Sequence, residues 1–206
     1  RYLGRRSITD LSGIDQLRIH PRCYYRPAED DVPGVREAWP AMIAAVTDNE
    51  GTITGVHRTW LDPQSHDKAA VAYPRRAMGH LLGSGVRFGK ADGVMVAGEG
   101  LETLLSLRQV MPSMAMIAGL SAAHLAAIQF PAALRCLYVA RDDDPAGATA
   151  LSTLTERCEP LGIAVIPLEP RLDDFNSDLN TYGPERLAAA IRVQLSAADA
   201  VRFLKE

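Results

Sequence analysis

From Val94 to Leu168 short apolar runs alternate four times with stretches of helical spacing. "VMVAGEG" leads into "LETLLSLRQVM", and "SMAMIAGL" into "SAAHLAAIQF". "RCLYVARDDD" leads into "PAGATALSTLTERCEPLG", and "IAVIPLEP" closes the series. Strand and helix in alternation predict an α/β fold, a parallel-dominated sheet with helices on its faces. Pro145 stands where a first helical turn tolerates it.

Upstream the texture differs. "AMIAAVTDNEGTITGVHRTWL" is an apolar strand, a polar turn and a β-favouring partner, which predicts a hairpin. "YLGRRSIT" is expected to be helical, residues 20–40 to form a loop, and "DPQSHDKAAVAYPRRAMGHLLGSG" to form a long irregular basic connection. "GPERLAAAIRVQLSAADAVRFLKE" is expected to be an amphipathic helix broken near Ser196. The expected division is a smaller basic α+β subdomain over 1–90, the alternating domain over 91–180, and a helical segment over 181–206.

The 206 residues are 47% hydrophobic and 23% charged, enough for a sizeable core. The net charge of -3 gives no bulk nucleic-acid signal. Locally, "RYLGRR", "HPRCYYR", "YPRR" and "VRFGK" crowd cations into the first 90 residues, and the acids dominate later. Cys23, Cys136 and Cys158 form no CxxC, and His20 and Cys23 have no second ligand pair, so neither a disulfide frame nor a zinc ribbon is expected. No apolar run approaches the ~20 residues of a membrane span, so no membrane partner is expected. A reducing, cytoplasmic setting fits, and Arg1 in place of a methionine suggests a piece of a longer protein.

Ligands of open α/β sheets bind beyond the carboxyl ends of the strands. Three acid clusters fall there: Glu99, then Asp142, Asp143 and Asp144, then Asp173, Asp174 and Asp178. Alternation sends Asp142 and Asp144 to one side and Asp143 to the other. Carboxylates crowded together repel, and a divalent cation with hard oxygen ligands relieves the repulsion. The competing reading is local: Asp144 before Pro145 is a fair N-cap, and Glu99 and Glu102 are acids near a helix N-terminus.

"VMVAGEGLETLLSL" followed by "LYVARDDDPAG" resembles the Toprim domain. That domain is shared by bacterial-type primases, type IA and II topoisomerases, overcoming-lysogenization-defect nucleases and recombination proteins. Glu99 and Gly100 match its Glu-Gly mark, and Asp142 and Asp144 match its DxD mark. The wording is closest to primase-like Toprim proteins of plasmids, phages and integrated elements. "LDDFNSDL" is similar to the family's third acidic site, with Ser177 intervening, so both Asp174 and Asp178 are candidates. The hairpin and basic loop resemble the segment that precedes Toprim in primases, with Arg58 and Lys68 in corresponding places. The family's zinc-ribbon module and a GxxxxGKS/T helicase motif have no counterpart in these residues.

The resemblance implies a nucleotidyltransferase making RNA primers on single-stranded DNA. It implies Mg2+ or Mn2+ on Glu99, Asp142 and Asp144, with Asp174 or Asp178 as a further ligand. Gly100, Glu102 and Gly147 would support the site, and Arg58, Lys68, Arg75 and Arg76 would meet phosphates. Implied partners are single-stranded DNA, ribonucleoside triphosphates and a helicase or other replication module. Two rivals remain: a Toprim nuclease with water as nucleophile, and a non-catalytic nucleic-acid-binding module. His57 and His80 read as structural, and Tyr24 and Tyr25 as packing residues before base-stacking ones.

Overall fold

A computed structural model describes residues 1–141 and 144–205. Two sheets build it. The first is antiparallel, in the order β1 (Leu17–Tyr24), β2 (Ala38–Thr47), β3 (Ile53–Trp60), β4 (Arg75–Gly79). The second contains β5 (Val86–Phe88), β6 (Val94–Gly98), β7 (Met116–Ala118), β8 (Cys136–Ala140) and β9 (Ala164–Leu168), in the order β5-β7-β6-β8-β9. β6 to β9 pair in parallel, and only β5 runs antiparallel, at one edge. The expected parallel-dominated α/β architecture is what the chain forms, and the hairpin expected upstream is part of a four-stranded antiparallel sheet.

Burial on both faces explains the continuous apolar runs of β6 and β8. On one face Val96, Met116 and Tyr138 pack with α2 (Leu101–Val110) and α5 (Phe175–Arg192). On the other, Met95, Ala97, Leu137 and Val139 pack with α3 (Ala122–Ala127) and α4 (Pro145–Cys158). Met42, Ala44 and Val46 of β2 join the first core, and Thr47 bridges Gly85, so the two sheets share packing. The predicted hairpin is present, β2 against β3 through Asp48–Gly51.

Three expectations change. The predicted loop over 20–40 is strand at both ends, since β1 reaches Tyr24 and β2 starts at Ala38. Pro21 is tolerated because β1 is an edge strand whose register shifts between His20 and Cys23. The basic connection contains β4. Helix α1 spans only Tyr2–Arg5. At the far end α5 starts at Phe175, bends at Gly183 with φ 79°, and is followed by α6 (Ala197–Phe203), capped by Ser196 where the break was expected.

Residues 1–10 are bound to the second sheet's helices. Tyr2 and Ile8 are buried in the core with α2 and α5. Gln109 of α2 accepts from the backbone N–H of Thr9 and Asp10 and donates to the Asp10 carbonyl. Asn176 of α5 donates to the Arg6 carbonyl at 2.8 Å. Cys23, Cys136 and Cys158 carry free thiols. Among the described residues no helix is long and apolar enough to cross a membrane.

Candidate active site

The carboxyl ends of β6 and β7 open on a cleft of about 620 Å³, and β3 and β4 supply its opposite wall. Glu99 follows the last residue of β6, and Gly100 caps α2. The Glu99 carbonyl accepts from Leu120 N and the Gly98 carbonyl from Gly119 N, which fixes the rim between β6 and β7. These bonds hold Leu120 at φ 73°, a left-handed conformation that costs a branched residue about 1 kcal/mol or more. Gly119 must be glycine, because a Cβ there would lie 2.6 Å from the Leu125 Cα. Ser121 then caps α3, and its hydroxyl meets His124 Nδ1 at 3.0 Å on the cleft's lip.

Burial, with the nearby Asp144 charge adding to it, pushes the Glu99 carboxyl above the ordinary glutamate range, while Arg75 works the other way. Glu99 therefore feels the field of Asp144. Asp144 is also the N-cap of α4: its Oδ1 accepts from Gly147 N at 2.7 Å. The capping and site readings are compatible, since one oxygen cap leaves the carboxylate its charge. Asp142 and Asp143 lie outside the described residues.

Asp174 lines the cleft and caps α5, accepting from Ser177 N at 2.6 Å. Asp178 is 1% exposed, and its two oxygens accept from Arg171 N and Leu172 N. It clamps the loop after β9, outside the cleft lining. Of the two candidates, the geometry brings only Asp174 to the cleft.

Glu102 is buried. Burial alone would raise its pKa, but the Tyr2 hydroxyl at 2.6 Å, with Lys68 and Arg75 nearby, outweighs that and holds it below the usual range. Burial and the neighbouring Arg75 lower the Lys68 pKa. Lys68, Arg75 and Arg76 all line the cleft. Arg76 is largely committed: it donates to the Arg26 carbonyl and the Tyr25 hydroxyl, and lies 4.6 Å from the Tyr25 ring centre. Arg58 sits over Trp60 at 4.9 Å, outside the cleft lining.

Sequence reasoning missed Arg6, which lines the cleft from the far end of the chain. His57, read as structural, is buried and also lines the cleft, and its desolvation lowers its pKa to about 4. Alternation along β3 could have flagged His57, because Val56 and Arg58 must face the other way. Nothing local flags Arg6.

Hard carboxylate oxygens fit a divalent cation, which would relieve the repulsion that Asp144 exerts on Glu99. Among the described residues no cluster of three or more potential ligands forms, and the third expected carboxylate is Asp142.

Comparison with known proteins agrees with this layout. Residues 1–88 match a domain of unknown function (DUF7146), and residues 94–185 match the Toprim domain. A search of curated protein sequences finds no match. Among solved structures, a DNA primase domain from Pseudomonas aeruginosa superposes with TM-score 0.59 at 18% identity, covering 94% of this chain and 70% of that one. The RNA polymerase domain of Mycobacterium tuberculosis primase, solved with a DNA oligomer, gives 0.54 at 14%, covering 98% and 74%. The primase fragment of the bacteriophage T7 primase-helicase gives 0.53 at 16%; this chain is covered over 79% and spans 64% of that fragment. Residues 94–185 are a Toprim domain, joined to a preceding antiparallel sheet in the fold of bacterial and phage primase domains.

Proposed function

We propose that this chain is the core of a primase-like nucleotidyltransferase, joining ribonucleotides on a single-stranded DNA template. The observation that carries the reading is one cleft with two walls of opposite sign. Glu99, under the influence of Asp144, stands at the sheet rim, and Lys68 and Arg75 stand opposite. Such a cleft can hold the phosphates of two reacting nucleotides against the cations while the acids address the reacting oxygens.

In this reading Glu99, Asp142 and Asp144 hold Mg2+ or Mn2+, with Asp174 close by. The metal supplies charge stabilisation for the phosphoryl oxygens. Glu99, its carboxyl already held high, is suited to take the proton of the attacking 3′-hydroxyl. Glu102, held by the Tyr2 hydroxyl, lines the cleft, and Gly147 fixes the Asp144 carboxylate by its N–H. Arg75 and Lys68 contact phosphates. Arg76 and Arg58 support that wall through Tyr25 and Trp60. The natural partners are ribonucleoside triphosphates, single-stranded DNA and a helicase or other replication module of a mobile element.

The test combines the chain with Mg2+ or Mn2+, labelled ribonucleotides and single-stranded DNA. Primer-length products support the proposal. Template degradation would replace it with a Toprim nuclease, using the same acids and water as nucleophile. Salt-sensitive binding with neither product would leave a non-catalytic binding module.

A further inference from the structure

The cleft changes character along its length. Thr59 pairs with Arg75 and Leu61 bridges Lys68, so both cations stand at the carboxyl end of β3. Going back along β3, His57 pairs with Ala77 and Gly55 with Gly79, and the chain runs on through Leu81. Arg75 and Gly79 lie about 13 Å apart along a strand of ordinary rise. Leu81, Leu120, Ser121 and His124 line this second end. The two walls are tied together there. Val86 pairs with Ala118 at the end of β7, and Gln129 N, just past α3, donates to the Gly83 carbonyl at 2.9 Å. One end of the cleft is therefore cationic, and the other is walled by leucines and one imidazole.

That imidazole is held in one orientation. Ser121 Oγ accepts from the His124 backbone N–H at 3.2 Å and meets His124 Nδ1 at 3.0 Å. A hydroxyl has one proton, and here the lone pair is used on the N–H, so the proton goes to Nδ1. The proton of the neutral ring then sits on Nε2, which has no partner among the described residues. The turn that delivers both side chains is strained, with Leu120 at φ 73° and no room for a Cβ on Gly119. Backbone strain of this kind persists only where the surrounding structure enforces it. The product is a single uncharged, directional N–H donor beside half-buried Leu81 and Leu120. Phosphates call for charged donors. An apolar wall with one fixed polar group suits a part of a ligand that carries no charge.

We propose that His124 holds the nucleoside end of a nucleotide whose phosphates lie at the cationic end, donating from Nε2 to an uncharged acceptor on the base or the sugar. Leu81 and Leu120 supply the apolar surface beside it. Ser121 is a positioning residue: it keeps Nδ1 engaged and so keeps the proton on Nε2. The proposal rests on the reading of the cleft as a nucleotide site and adds to it the group that recognises the part of the nucleotide that is not phosphate.

Calorimetry on the full chain with Mg2+ tests this by comparing ATP with inorganic tripolyphosphate, which has no nucleoside. His124→Ala is expected to weaken ATP binding about 5-fold and to leave tripolyphosphate unchanged. His124→Gln, which keeps an N–H donor, is expected to recover part of the loss. Ser121→Ala is expected to lower the ATP-to-tripolyphosphate preference by less, and to add nothing in a His124→Ala background; Ser121→Thr keeps the hydroxyl and the preference. The preference is read within each variant, so a poorly folded variant, which loses both ligands alike, is not mistaken for a specific one. Ribose 5-triphosphate separates the two acceptors: a His124→Ala loss absent there places the acceptor on the base, and a loss retained there places it on the sugar. Equal losses of ATP and tripolyphosphate in a His124→Ala chain that melts as wild type overturn the proposal. So does an unchanged ATP affinity, or a wild-type chain that binds tripolyphosphate as tightly as ATP. A wild-type chain that binds neither ligand overturns this assignment and the nucleotide reading of the cleft together. Failure of primer synthesis with the expected binding results would count against the polymerase reading alone.

Discussion

The Tyr2 hydroxyl donates to the Glu102 carboxylate at 2.6 Å, joining the first helix of the chain to the first turn of the helix that follows Glu99. The bond is buried, and its acceptor is charged. Tyr2→Phe keeps the ring under Arg6 and removes the donor. It should destabilise the fold by roughly 1–3 kcal/mol, the cost of an under-satisfied buried carboxylate. Denaturant titration checks this. The Glu102 pKa should rise in the same variant, so the stability that acidification removes below the ordinary glutamate range should shrink.

His57 gives a pH signature. Its folded pKa of about 4 lies below the usual 6.5, because burial disfavours the imidazolium. As pH falls through about 6.5 the unfolded chain takes up this proton first, so stability declines between about 6.5 and about 4 and levels off below. The loss is at most about 3 kcal/mol for this group. His57→Gln should flatten that part of the stability-against-pH curve. An unchanged slope would show that other groups carry it.

Asp144 has a capping role and a proposed metal role, and two substitutions separate them. Asp144→Asn keeps an N-cap acceptor and removes the charge, so stability should hold while activity is lost. Asp144→Ala removes both, adding a stability loss of about 1 kcal/mol. Asp142→Asn should match Asp144→Asn in activity, and Asp143→Asn should be nearly silent. Thermal melts beside primer-synthesis assays read both axes.

Arg75 and Arg76 are neighbours on β4 with different employment. Arg75 has no salt bridge among the described residues, whereas Arg76 is spent on Arg26, Tyr25 and the Tyr73 ring. Arg75→Ala should weaken oligonucleotide binding and reduce its salt dependence, with melting little changed. Arg76→Ala should lower the melting temperature first, since it strips the Tyr25 hydroxyl and an aromatic cage. Paired binding and melting measurements distinguish the two.

How far the sequence could be read depended on whether the cause was local. The β6-to-β9 alternation was legible because strands buried on both faces leave uninterrupted apolar runs. Glu99 and Gly100 were legible as rim residues because they follow β6 directly, and Asp144 as an N-cap because it precedes Pro145. β1 was not, since an edge strand with Pro21 and a row of charged side chains carries no apolar alternation. Asp174 and Asp178 could not be separated, because their difference is which oxygens meet backbone N–H groups, and that is decided by the loop's path. Arg6 was invisible for a stronger reason: its neighbours Asp67 and Asn176 are 61 and 170 positions away.

The docking of residues 1–10 against α2 and α5 bears on how the protein can be divided. During synthesis Tyr2 and Ile8 emerge before either helix that will cover them, and they stay solvated until nearly the whole chain has been made. Conversely, a fragment beginning near residue 91 would expose the groove those side chains fill and leave Gln109 and Asn176 facing water. The two sequence families meet near residue 90, and the buried contacts of residues 1–10 with α2 and α5 cross that boundary. Expressing either half alone should give a poorly ordered product, and supplying the first ten residues as a separate peptide should restore order to the second.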